Sequence, residues 1–168
     1  MKLDNEWINF VKENKQTIED LSKRTSEDIN SRLNIVKKID ELVIERNSRK
    51  GVYNGQTYVS QFTDVKLKDV NACIETYLMK NAFEHNLYEE YDKLYISLWT
   101  RNNQDYKGLD SLVKVLKCKN PKKHETKGKY AWGKHYILDE IDVTKEFSVE
   151  DIAKKVNDYL DSLSKFEE

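Results

Sequence analysis

The spacing of apolar residues changes period near residue 51, and that change restricts the chain to folds that combine helices with a sheet. Before it, Leu3, Trp7, Phe10, Val11, Ile18 and Leu21 recur every three or four residues, the spacing that gives a helix one apolar face. Residues 3–23 are therefore expected to be helical. Ile29, Leu33, Val36, Ile39 and Val43 predict a second helix over 27–47. Between the two, Thr25-Ser26-Glu27-Asp28 offers a capping hydroxyl and two acids where a helix dipole is positive. The first 50 residues thus read as a helical hairpin or one kinked long helix. Their charges nearly cancel, 11 basic against 10 acidic, which suits a packing or homodimerising element.

From Gly51 the residues favour strands. Asn54-Gly55 stands between Val52-Tyr53 and Tyr58-Val59, and Asn-Gly between β-prone residues signals a tight hairpin. Val70, Cys73, Ile74, Tyr77 and Leu78 return to helical spacing and predict a helix over 67–82. Strands are expected over 87–91 and 93–101, then a short helix from Gly108 through Leu109, Leu112, Val113 and Leu116. Asn120-Pro121 closes that helix, because the residue before proline is pushed out of helical geometry. A lysine-rich loop and a long strand, Tyr130 to Ile141, follow. Ser148 is placed to cap a last helix with the stripe Val149, Ile152, Val156, Tyr159, Leu160 and Leu163.

The expected fold class is α+β: an N-terminal helical hairpin (1–50), then an α+β domain (51–168). In that domain a split-βαβ-like, mostly antiparallel sheet carries helices on one face and a C-terminal helix. Cys73 and Cys118 form no CxxC pair, so reduced thiols are expected rather than a disulfide or zinc framework. No apolar leader or membrane-length run is present, and a cytoplasmic location is expected.

Charge is unevenly distributed along the chain. Residues 101–134 hold ten Lys and Arg against Asp105, Asp110 and Glu125, a charge of +7 in a chain of net charge -1. Segregated positive charge beside aromatics is the usual footprint of a nucleic-acid surface. Alternation on the strand from Tyr130 puts Tyr130, Trp132, Lys134 and Tyr136 on one face; on the strand from Lys93 it groups Tyr95, Ser97, Trp99 and Arg101. Were these strands neighbours, Tyr95, Trp99, Trp132 and Tyr136 would form a stacking platform edged by Arg101 and Lys134. Lys117, Lys119, Lys122, Lys123, Lys127 and Lys129 would then meet phosphates. Against this stand two plainer possibilities: the aromatics form a second core layer, or the -6 segment 135–168 neutralises the lysines.

Catalytic patterns are weaker. Asp110 with Glu125-Thr126-Lys127 spells a metal-dependent nuclease motif, but that chemistry needs carboxylates held rigidly on a strand, and Glu125 falls in the expected loop. Cys118, His124 and His135 are irregularly spaced for metal ligation. Phosphate-loop, dinucleotide and serine-hydrolase signatures are missing from the sequence. No catalytic residue, metal or cofactor is expected.

Trp7-Ile8 with Phe10, Leu87-Tyr88 through Asp92 and Leu94, Pro121-Lys122-Lys123, Ile141-Asp142-Val143-Thr144 and Asn157-Asp158-Tyr159 together resemble the N-terminal DNA-binding domain of methylcytosine-dependent restriction GTPases. The family's Pro-Trp strand entry has no counterpart, and residues 59–80 depart from its pattern. The resemblance implies DNA binding, with a modified base rotated out of the duplex and hydrolysis left to another domain or chain. The functional expectation is a non-catalytic nucleic-acid-binding protein linked to restriction or phage defence. The alternative is a small protein-binding inhibitor or adaptor, such as a counter-defence protein of the anti-CRISPR kind that grips a larger complex; the second alternative is a metal-dependent nuclease, which needs Asp110 and Glu125 to converge on a metal.

Overall fold

A computed structural model describes residues 5–45, 48–54, 58–67, 70–79, 93–100, 106–125, 134–143 and 145–165. In chain order these form α1 (Asn5–Glu13), α2 (Lys15–Leu42), β1 (Ser48–Asn54), β2 (Tyr58–Leu67), β3 (Val70–Met79), β4 (Lys93–Thr100), α3 (Tyr106–Leu116), β5 (Lys122–Glu125), β6 (Lys134–Asp142) and α4 (Val149–Ser164). The fold is α+β. Six strands make one sheet in the order β1-β2-β3-β4-β6-β5, and every neighbouring pair is antiparallel. No described helix is long and apolar enough to cross a membrane.

The N-terminal helices are consecutive lengths of one helical run rather than a hairpin. Asn14 separates them, yet its amide donates to the Phe10 carbonyl and its own carbonyl accepts from the Ile18 amide, both at 3.0 Å. No glycine or proline precedes Gly51, so nothing in this stretch reverses the chain. The break expected at residues 25–28 does not occur, because α2 runs through them. Ser26 does not cap: its hydroxyl donates to the Ser22 carbonyl inside the helix.

The larger correction is β3, which replaces the helix expected over 67–82. Ala72, Ile74, Thr76 and Leu78 are buried on one side of this strand and Cys73 on the other. It pairs with β2 along one edge and β4 along the other. A strand buried on both faces places apolar residues side by side, and Cys73-Ile74 and Tyr77-Leu78 then imitate a helix repeat. The split-βαβ pattern falls with that helix, leaving an antiparallel meander from β1 to β4. The strand expected over 87–91 lies outside the described residues.

Elsewhere the local chemistry and the fold agree. β1 and β2 form the expected hairpin, but with Asn54 opposite Val59, so Asn54 closes β1 instead of standing in a two-residue turn, which would set Tyr53 opposite Gln56. Ser148 caps α4, its hydroxyl accepting from the Asp151 amide at 3.1 Å, with Glu150 and Asp151 in the first turn. After α3, Lys117 takes a left-handed conformation (φ 50) and ends the helix four residues before Pro121. What was expected as a loop after the proline is partly the short edge strand β5.

Helices α2, α3 and α4 cover one face of the sheet. Ile39 and Val43 of α2, Leu109 and Leu112 of α3, and Val156, Leu160 and Leu163 of α4 share a core with Ile74, Leu78, Leu94, Ile96 and Leu98. Each such side chain contributes about 1.5–3 kcal/mol by leaving water. The C-terminal end of α2 is fastened twice: Lys50 Nζ donates to the Asp40 and Val43 carbonyls, and Asn157 of α4 accepts from the Ile44 amide and donates to the Leu42 carbonyl.

Candidate nucleic-acid interface

Alternation along the strands assigns the other face of the sheet, on which no described helix packs. Cross-strand register builds three rows there. One runs Arg49, Asp64, Cys73, Trp99, His135, His124; the next Gly51, Phe62, Glu75, Ser97, Ile137, Lys122; the third Tyr53, Ser60, Tyr77, Tyr95, Glu140. Aromatic rings from four neighbouring strands thus share one surface. Tyr77 and Tyr95 stack with centroids 5.3 Å apart and planes 28° from parallel. Arg49 lies 5.4 Å above the Phe62 ring and pairs with Asp64 at 3.2 Å. Gly51 makes room for that ring, since a Cβ there would come within 3.0 Å of it. Tyr53 is 50% exposed, and the rings of Phe62, Tyr77, Tyr95 and Trp99 are half-buried.

Glu75 sits in the middle of these rings. Burial raises its pKa above the ordinary carboxylate value, while the Ser60 hydroxyl and the Trp99 indole N–H beside it act the other way. Tyr77 is also shifted upward, first by burial and then by the nearby Glu75 carboxylate and Tyr95. The surface is therefore aromatic at its centre with one carboxyl that resists ionisation.

Salt bridges rim the surface. Lys93 holds Glu140 at 2.7 Å, and Lys122 approaches the other oxygen at 3.4 Å. Glu140 is accordingly lowered in pKa, mainly by Lys93. His124 and His135 face each other across β5 and β6 with ring centroids 4.8 Å apart.

The expected platform is divided by the sheet. β4 and β6 are neighbours as it requires, but Leu98, not Trp99, stands opposite Tyr136. Tyr95 and Trp99 lie on the face on which no described helix packs, whereas Lys134 and Tyr136 turn toward the described helices. Tyr136 is 6% exposed; its hydroxyl donates to Asp110 of α3, and Tyr106 meets its ring edge-on at 5.5 Å. It is a core residue whose hydroxyl is satisfied by an acid from the helix above it. Burial raises the Tyr136 pKa; its hydroxyl, then Lys123, lower that of Asp110.

The lysines are divided as well. Lys123 is bound to Asp110 at 3.2 Å and lies 4.6 Å from the Tyr106 centroid, which Lys134 approaches at 5.8 Å. Lys117 and Lys119 are exposed at the end of α3 and make no ion pair among the described residues. Arg101, Lys127, Lys129 and Trp132 lie outside the described residues.

The metal and nuclease patterns do not assemble among the described residues. No three His, Cys, Asp or Glu side chains there are placed to hold one ion. Cys118 is turned away from the histidine pair, its thiol donating to the Leu138 carbonyl. Asp110 is engaged by Tyr136 and Lys123, and Lys127 of the triplet is not described.

Sequence reasoning missed Phe62, Glu75 and Tyr77. The signal available was the β-branched and aromatic content of 70–79, following a hairpin that needed another strand beside it. Comparison with protein-family models, with curated proteins and with solved structures finds no match to this chain.

Proposed function

We propose that this is a non-catalytic nucleic-acid-binding protein that works in the cytoplasm in restriction or phage defence and uses the helix-free face of its sheet. The observation that carries the reading is the stacked Tyr77–Tyr95 pair, with Trp99 and Phe62 on the same face. An unpaired base stacked on such a ring gains about 1–3 kcal/mol. Tyr95 and Trp99 remain in the proposed platform, Tyr77 and Phe62 join it, and Tyr136 leaves it. Lys117 and Lys119, exposed and without an ion pair among the described residues, are left to meet phosphates, since Lys122 and Lys123 already face Glu140 and Asp110.

Fluorescence anisotropy with single- and double-stranded DNA and RNA at low salt tests this. The resemblance to the methylcytosine-dependent restriction GTPases makes DNA carrying a modified cytosine the first ligand to try. Tyr95→Ala is expected to weaken binding at every salt concentration. Lys117→Ala with Lys119→Ala is expected to reduce the salt slope by about 2. Absence of binding at low salt would remove the reading. It would leave the protein-binding inhibitor or adaptor, which the internal neutralisation of Lys122 and Lys123 favours.

A further inference from the structure

The α1–α2 run continues well beyond the part that packs on the domain. α2 alone has 28 residues, about 42 Å at the rise of an α-helix. Among its described side chains the buried positions are Arg32, Val36 and Ile39, followed by the C-cap Val43, in steps of four and three residues. The same rhythm precedes them: Trp7, Val11, Asn14, Ile18 and Leu21. Leu21 and Arg32 are eleven residues apart, close to three full turns, so both halves of the stripe face the same side. The first half is exposed, Trp7 by 57%, Leu21 by 48% and the flanking Phe10 by 52%.

We propose that this projecting half-stripe pairs with the same stripe of a second copy of the chain, with Asn14 opposite Asn14 at the two-fold axis. Three observations select that occupant.

Asn14 is the central position of the run from Trp7 to Leu21, so it meets its own copy whether the helices lie parallel or antiparallel. A lone asparagine in an apolar seam is best satisfied by another asparagine, and it favours a fixed register and a two-stranded state. Its Nδ2 donates to the Phe10 carbonyl, and the amide retains a second hydrogen and an acceptor oxygen for the copy.

The charges select neither an oppositely charged protein nor a lipid surface. Residues 5–23 carry Lys12, Lys15 and Lys23 against Glu6, Glu13, Glu19 and Asp20. Lys15–Glu19 and Lys23–Glu27 are satisfied within the helix. A helix lying on an anionic membrane would instead carry an excess of Lys and Arg on its polar side.

The area also fits. Trp7, Ile8, Phe10, Val11, Ile18 and Leu21 expose on the order of 500 Å² per chain, most of the roughly 800 Å² per partner of a standard interface.

Sedimentation equilibrium of the full chain over a wide concentration range tests the proposal. A dimer that dissociates on dilution is expected. Trp7→Glu with Leu21→Glu is expected to weaken association at least about 100-fold and to leave the thermal midpoint of the monomer unchanged, because neither side chain enters the core. Asn14→Asp is expected to give monomers at neutral pH and dimers again once pH falls below the carboxylate range. The proposal is overturned by a wild-type chain that stays monomeric throughout. A dimer indifferent to both changes would overturn it too, as would a monomer that binds phosphatidylglycerol vesicles through the stripe.

Discussion

Tyr136 shows how a polar hydroxyl is accommodated on the buried face of a strand. Its ring gains by burial under α3, and the hydroxyl is tolerated there because Asp110 accepts its hydrogen bond. Tyr136→Phe is expected to cost about 1 kcal/mol in urea denaturation at neutral pH. Asp110 has a lowered pKa, so its stabilising effect is present above its ordinary value of 3.8 and fades as pH falls through the lowered one. In Tyr136→Phe that acid-side loss should shrink. Glu75 behaves in the opposite sense. Its pKa is raised, so stability is greatest below the ordinary value of 4.5 and falls as pH climbs through the raised one. Glu75→Gln is expected to stabilise the fold at neutral pH and to change nothing below pH 4.5; paired denaturation curves at the two pH values check it. Residue types in the sequence spoke for aromatic contacts at Tyr95, Trp99 and Tyr136. Alternation against Leu94, Ile96 and Leu98 already tells the face of Tyr95 and Trp99; whether Tyr136 shares it depends on β4 and β6 register, which is set by contacts between distant segments and leaves no local trace.

At the scale of elements, legibility followed one-sidedness. α4 is apolar on one side, charged on the other and capped by Ser148, and its sequence announces all three. β4 alternates Leu94, Ile96 and Leu98 against Tyr95, Ser97 and Trp99, and was equally plain. β3 hid because Cys73 is as buried as Ile74, which erases the alternation. The bulge between Ile96 and Ser97 hid too: it adds Leu138 to β6, so that Asp139 stands opposite Ile96 on the helix side. There it accepts from Tyr159 at 2.6 Å and pairs with Lys155 at 3.0 Å. Elements also terminate one another. Asn157→Ala removes both bonds from α4 to the end of α2 and is expected to cost about 1 kcal/mol, with faster hydrogen exchange at the Ile44 amide as the specific sign.

For the whole molecule, the antiparallel meander with helices on one side gives the two faces separate tasks. The covered face supplies the core, and the other carries the rings and the Glu75 carboxyl, with no described helix packed on it. The net charge of -1 conceals a basic segment whose lysines are partly spoken for, since Glu140 and Asp110 take Lys122 and Lys123. Nucleic-acid affinity should accordingly depend less steeply on salt than ten basic residues in 101–134 would suggest, a slope that binding titrations over a range of salt concentrations will measure.

The pair of hydrogen bonds from Asn157 to the end of α2 joins residues 113 and 115 positions apart in sequence. The ribosome makes α2 long before residue 157. Until then the α2 terminus keeps exposed carbonyls, and Val36, Ile39 and Val43 lack α4 as a cover. The early helix therefore waits in an unfinished state through most of synthesis, at the stage when a chain is most open to capture by chaperones or by another nascent copy.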